Sequence, residues 1–224
     1  MIMDLVYLHG FASSPDSSKA TFLSARLAEI GITLHCPDLN KPDFSTMTVS
    51  RMINDVERVI ADLAPSPIAL IGSSLGAFVA LHLAERCYRA GEGRKVSHSI
   101  EHLVLLAPAF DFRTGLEKQL GADGLNEWRA TDRLAVQNYA EGRTCDVHYD
   151  LYADAGYYDS FAATVSVPML ILQGRGDEVV DPRMVASFAR GRDHVKCVLL
   201  DDDHQLKNSL DRVWNEISVF LGLD

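Results

Sequence analysis

The chain of 224 residues is short of basic side chains. Its 21 Lys and Arg stand against 31 Asp and Glu, a formal net charge of −10. Such a chain repels phosphate backbones, and no cluster of Lys or Arg offsets this, so nucleic acid is not an expected partner. Long apolar runs are also missing. The longest, from Leu103 to Phe110, is broken by Pro108 and falls far below the roughly 18 residues of a membrane span, so no membrane association is expected. The segment from Met1 to Gly10 has no basic n-region and no cleavage site ahead of the first strand pattern, which argues against a secretion signal and for a cytoplasmic protein. Cysteine is scarce and scattered. Cys36, Cys87, Cys145 and Cys197 form no Cys-x-x-Cys pair, so free thiols are expected, and no zinc site or other metal site.

Apolar residues make up 47% of the chain and charged residues 23%, the balance of an ordinary globular protein rather than a disordered one. A chain of this length buries about 70% of its unfolded surface, so one domain over 1–224 folds without staples. Short apolar runs at Leu5 to Leu8, Ile32 to Cys36, Ile68 to Ile71, Leu103 to Leu106, Met169 to Leu172 and Lys196 to Leu200 read as strands. Between them lie helical spacings: Phe22, Leu23, Leu27 and Ile30; Met52, Ile53, Val56, Ile60 and Leu63; and segments over Ala77 to Arg89, Met184 to Ala189 and Leu206 to Leu221. Pro65 stops the second helix, and Gly91 to Ser99 reads as a surface loop. The alternation predicts an α/β fold: about six mainly parallel strands with helices on both faces. Between the fourth and fifth strands, residues 111–167 are too long for a plain loop. Leu116, Leu120, Leu125 and Trp128 suggest short helices there, hence a small helical cap or lid insertion.

Gly72-Ser73-Ser74-Leu75-Gly76 is a G-x-S-x-G pattern placed directly between a strand and a helix. Composition alone gives about 0.08 such matches in a chain this long, so context carries the weight. A serine nucleophile needs a tight strand-to-helix turn that exposes its hydroxyl, with small residues on either side and a helix N-terminus behind it. The glycine frame selects Ser74 over Ser73. A glycine-bounded βα turn without chemistry is the plain alternative.

Serine requires a base. In the order Ser, acid, His the base comes late, and His204 lies between the last strand and the last helix. His35, His82, His98, His102, His148 and His194 fall in strands, in a helix, in the insertion or at the opposite end of the sheet. The acid is sought after the preceding strand, in Gln173-Gly174-Arg175-Gly176-Asp177. Asp177 is selected, with Glu178 and Asp181 as fallbacks, to hold the His204 tautomer. Asp201, Asp202 and Asp203 read as solvated turn residues. Two N–H donors are needed for the oxyanion: Leu75, after the nucleophile, and Phe11, in the loop after the first strand, where Gly10 permits close approach. His9 is read as a brace for that loop.

Together, Leu-His-Gly-Phe at 8–11, Gly-Ser-Ser-Leu-Gly at 72–76, Gln-Gly-Arg-Gly-Asp at 173–177 and Asp-His at 203–204 resemble the α/β-hydrolase superfamily. The stretch His9-Gly10-Phe11-Ala12-Ser13-Ser14-Pro15 is most similar to small bacterial esterases of the YqiA type. The resemblance implies the hydrolase fold, a Ser74/Asp177/His204 triad, Phe11 and Leu75 as oxyanion donors, an ester or thioester substrate and no cofactor. The chain departs from the superfamily in three ways. The two leading antiparallel strands are missing, Gln173 stands where histidine is frequent, and Ser73 does likewise.

The expected activity is that of a serine carboxylesterase on small uncharged acyl esters, acting as monomer or homodimer. Phe11, Tyr157, Tyr158 and Val180 are expected to line the acyl pocket, with Phe110 between pocket and core. A thioesterase on the same site, and a non-enzymatic binding protein on a hydrolase fold, are the competing readings.

Overall fold

The computed structural model describes residues 3–63, 66–91 and 99–223. Pro65, His98 and residues 92–98 of the loop expected from Gly91 to Ser99 lie outside them. The six expected strands are present as β1 (Asp4–Leu8), β2 (Leu34–His35), β3 (Ile68–Ser73), β4 (Ile100–Leu106), β7 (Met169–Gly174) and β8 (Val195–Leu200). They form one sheet in the order β2-β1-β3-β4-β7-β8. Every neighbouring pair runs parallel. The central strands are apolar and buried on both faces, as parallel strands between helix layers must be.

Strand alternation divides the core in two. Leu5 and Tyr7 of β1 face one layer and Val6 and Leu8 the other. The first layer is closed by α1 (Ser18–Glu29) and α7 (Leu210–Leu221). The second is closed by α2 (Val49–Ala61), α3 (Leu75–Gly91) and α6 (Pro182–Ala189). Helix α7 begins four residues later than the periodicity suggests, because Leu206 has φ 55° and breaks the helical path.

The chain runs outward from β1 to β2 and returns to β3 on the other side of β1. The loops after β1 and β3 therefore lead to helices on opposite faces and open a crevice between them. Open α/β sheets place ligands at such a switch point, beyond the C-terminal strand ends. Registers Leu8↔Gly72 and Ser73↔Leu106 bring those ends level.

The insertion is richer than its apolar spacing indicates. Helix α4 (Phe112–Thr131) breaks at Gly121 (φ 65°), giving two short helices as expected. It is followed by an antiparallel hairpin of β5 (Leu134–Asn138) and β6 (Arg143–Val147), then by α5 (Asp150–Ala155). The hairpin escapes the helical pattern because its strands are five residues long and largely exposed. Trp128 fastens it to α4 through Nε1–H to Val147 O at 2.8 Å. Its tip reaches the loop after β1, where Tyr139 N–H donates to Ala12 O at 2.9 Å.

All four cysteines are free thiols. Among the described residues, no helix is long and apolar enough to cross a membrane.

Candidate active site

Ser74 sits between β3 and α3 with φ 54°. Non-glycine residues seldom adopt this left-handed conformation, and it is held here by close packing around the turn. A Cβ on Gly72 would lie 2.5 Å from Ala77 Cα, and one on Gly76 would collide with the carbonyls of Leu8 and His9. The two glycines thus let the start of α3 press against the ends of β1 and β3. Ser74 N–H donates to Leu106 O at 2.9 Å, which pins the turn to β4. Ala12, Ala107 and Leu206 also have positive φ, so the strained residues concentrate at the C-terminal edge of the sheet.

Ser74 Oγ lies 3.1 Å from His204 Nε2, and His204 Nδ1 lies 2.8 Å from Asp177 Oδ2. A proton on Nδ1 satisfies both contacts: Nδ1–H donates to the carboxylate and Nε2 accepts from the serine hydroxyl. The second Asp177 oxygen accepts the Val179 and Val180 N–H groups at 2.9 and 2.8 Å, and Gln173 Nε2 reaches Oδ2 at 2.8 Å. Burial would raise the Asp177 pKa, but the bonds from His204, Val180 and Gln173 more than offset it and hold the carboxyl below its usual range. Glu178 and Asp181 are exposed, and Asp181 is instead the N-cap of α6, accepting Arg183 N–H at 2.8 Å.

Asp202 is not the solvated residue expected from the sequence. It is buried, and its side chain accepts Asp203 N–H at 2.8 Å and Asn208 Nδ2 at 3.2 Å. Its carbonyl accepts Gly176 N–H at 3.0 Å, joining the loops that carry Asp177 and His204. Two of the other histidines are engaged elsewhere. His82 contacts Ser160 and Glu85, and His148 contacts Asp132.

Leu75 is the first residue of α3, so its N–H has no carbonyl one turn back to bond. Phe11 lies in the loop after β1, and its N–H donates to no group among the described residues. His9 is buried behind this loop. Its Nδ1 contacts Gly10 O at 2.9 Å, and its Nε2 accepts Leu39 N–H at 3.0 Å. Burial pushes its pKa down, which keeps the ring neutral and suited to both contacts.

A cleft of about 660 Å³ opens over Ser74 and His204, within the usual size range of small-molecule sites. Phe11 lines it, as expected, together with Tyr139 and Ala140 from the hairpin tip, Val179, Ser13, Ser14 and the segment from Asp16 to Lys19. The other three expected pocket residues lie elsewhere. Tyr157 is 85% exposed and away from the cleft. The Tyr158 hydroxyl lies 2.7 Å from Ser50 Oγ, which itself bonds Asp154, so Tyr158 ties α2 to α5. Val180 is buried, contributing its N–H to Asp177 and its side chain to the core. Phe110 stacks on Phe188 at 3.9 Å and belongs to the core. Nothing in the local residue pattern points to Tyr139 or Ala140, because their place depends on the hairpin docking against Ala12.

Residues 4–221 match the uncharacterised protein family UPF0227. The chain belongs to this family. UPF0227 is the YqiA-like family that the sequence motifs resemble. No curated protein matches the sequence. Among solved structures, a hydrolase of unproven activity from Agrobacterium vitis S4 is similar at 24% identity and TM-score 0.83, over 97% of this chain and 87% of that one. Est1E from Butyrivibrio proteoclasticus, a structure with ferulic acid bound, gives 19% identity and TM-score 0.79 over 99% and 88%. Mouse alpha/beta hydrolase domain-containing protein 10 gives 21% and 0.77 over 99% and 90%. At these identities the shared property is the fold, and this UPF0227 chain has the α/β-hydrolase fold.

Proposed function

We propose that this UPF0227 protein is a serine hydrolase that cleaves carboxylic esters through an acyl-enzyme. The observation that carries the reading is the continuous line Ser74 Oγ, His204 Nε2, His204 Nδ1, Asp177 Oδ2, at 3.1 and 2.8 Å, opening into the cleft. His204 Nε2 takes the Ser74 proton as Oγ attacks the ester carbonyl carbon. Asp177 stabilises the resulting imidazolium. The tetrahedral oxygen draws on the Leu75 and Phe11 N–H groups, with the start of α3 behind it. Collapse breaks the carbon–oxygen bond to the alcohol, which leaves with the proton from His204. Water then attacks the Ser74 ester with His204 again as base, releasing the acid and restoring the serine.

Hydrolysis of 4-nitrophenyl esters from acetate to decanoate, beside a Ser74→Ala variant, tests this. Ser74→Ala is expected to lower kcat by about a thousandfold or more, and a fluorophosphonate probe is expected to label Ser74 alone. Turnover that survives Ser74→Ala, or label on another residue, contradicts the reading.

A further inference from the structure

One end of the cleft is built unlike the rest. Tyr7 is only 1% exposed yet lines the cleft, and its hydroxyl lies beside those of Ser17 and Ser73 without completing a well-formed hydrogen bond to either. Ser17, beside it, is the N-cap residue of α1, but its side chain caps nothing, and its Oγ is likewise buried and unpaired. The first-turn N–H groups of α1 are thereby left without a side-chain cap, and Ser17, Ser18 and Lys19 all line the cleft. Buried hydroxyls without partners are uncommon and each calls for an occupant or a cause. Here two of them share a site with a helix N-terminus and an amine.

Lys19 is only 7% exposed. Its Nζ donates to Gln205 O at 2.8 Å, with two further N–H bonds to give. Lys207 adds a second cation at the cleft wall. Burial and the neighbouring Lys207 lower the Lys19 pKa to about 8, while Asp177, Asp202 and Asp203 oppose this. An anion seated beside Lys19 would oppose it further. Asp16 also lines the cleft but is exposed, and Asp177 is engaged by His204.

We propose that this end of the cleft is an anion subsite, formed by Tyr7, Ser17, Lys19, Lys207 and the start of α1, that holds a carboxylate or phosphate group of the substrate remote from the bond cleaved. The placement of that group relative to the scissile ester rests on the esterase reading; anion binding itself does not. The net charge of −10 favours uncharged esters, but charges beyond about 8–10 Å are screened in physiological salt, so the local donors govern this pocket.

Calorimetric titration of Ser74→Ala protein with glutarate and with inorganic phosphate, at constant ionic strength, tests the subsite without any turnover. Saturable one-site binding of either anion is expected, and whichever binds identifies the group as carboxylate or phosphate. Lys19→Gln is expected to weaken it about 10- to 100-fold, as for a hydrogen bond to a charged group. Tyr7→Phe removes an unpaired hydroxyl, so it is expected to fold at least as well, and to weaken binding about three- to tenfold. Absence of saturable binding by both anions, or binding unchanged in either variant, overturns the proposal. Turnover of mono-4-nitrophenyl glutarate against 4-nitrophenyl hexanoate is read in parallel. Anion binding with no hydrolysis of any ester sinks the esterase reading and leaves the subsite; hydrolysis without anion binding does the reverse.

Discussion

Gln173 and His204 meet the same carboxylate oxygen: Gln173 Nε2 and His204 Nδ1 each lie 2.8 Å from Asp177 Oδ2. The Gln173 amide is oriented by its surroundings, since Nε2 also faces the carbonyls of Gly174 and Val180. Gln173 thus donates a neutral hydrogen bond to the carboxylate and leaves its charge intact. Gln173→Leu is expected to lower kcat about tenfold, the value of one hydrogen bond to a charged group, with KM little changed. Gln173→Glu is expected to be worse, because it places a second carboxylate against Asp177. Ester kinetics on both variants check the order; equal kcat in the two would remove the positioning role.

Glycine substitutions separate tight packing from simple flexibility. Gly76→Ala drives a Cβ into the Leu8 and His9 carbonyls, backbone that cannot step aside. A loss of about 3 kcal/mol or more is expected. Gly115, inside α4, has nothing within 4 Å of an added Cβ. Gly115→Ala is expected to stabilise by up to about 1 kcal/mol. Urea unfolding of the two variants gives opposite shifts if the elbow is as crowded as described.

Acid sensitivity should begin well above the carboxylate range. His9 and His82 are buried, and burial lowers both pKa values despite Asp38 beside the first and Glu85 and Asp159 near the second. The unfolded chain binds protons at these histidines from about pH 6.5 downward while the folded chain resists them. Stability therefore falls as pH drops below about 6.5, towards the lowered folded values. Asp177 and Asp202, held below their usual range, contribute above about pH 3.8, and that part is lost only at lower pH. Urea midpoints measured between about pH 8 and pH 5 check this. A His9→Gln, His82→Gln variant should show a flatter slope in that window, and an unchanged slope would refute the assignment.

Tyr139 is 78% exposed but forms a wall of the cleft at the hairpin tip. Its tie to Ala12 runs through the backbone N–H and survives truncation. Tyr139→Ala is expected to change stability by less than about 0.5 kcal/mol, yet to raise KM for medium-chain esters about threefold through lost apolar contact. Unaltered KM across the chain-length series would place the bound acyl group elsewhere.

The sequence by itself determined the sheet and singled out Ser74, Asp177 and His204, because both signals are local. Ile68 to Ile71 is apolar enough to be a buried strand, Gly72 and Gly76 frame one serine, and Asp177 and His204 each follow directly after a strand. Parallel pairing then brings the ends of those strands level. Tertiary structure alone decided the walls of the cleft. Tyr139 comes to Ala12 across more than a hundred residues, through a hairpin whose short exposed strands carry little periodic signal. Tyr157, Tyr158 and Val180 lie away from the cleft because hydrogen bonding, exposure and core packing, not residue type, set their positions. Lys19 reads as an ordinary surface lysine until the loop holding Gln205 folds over it and takes it out of water.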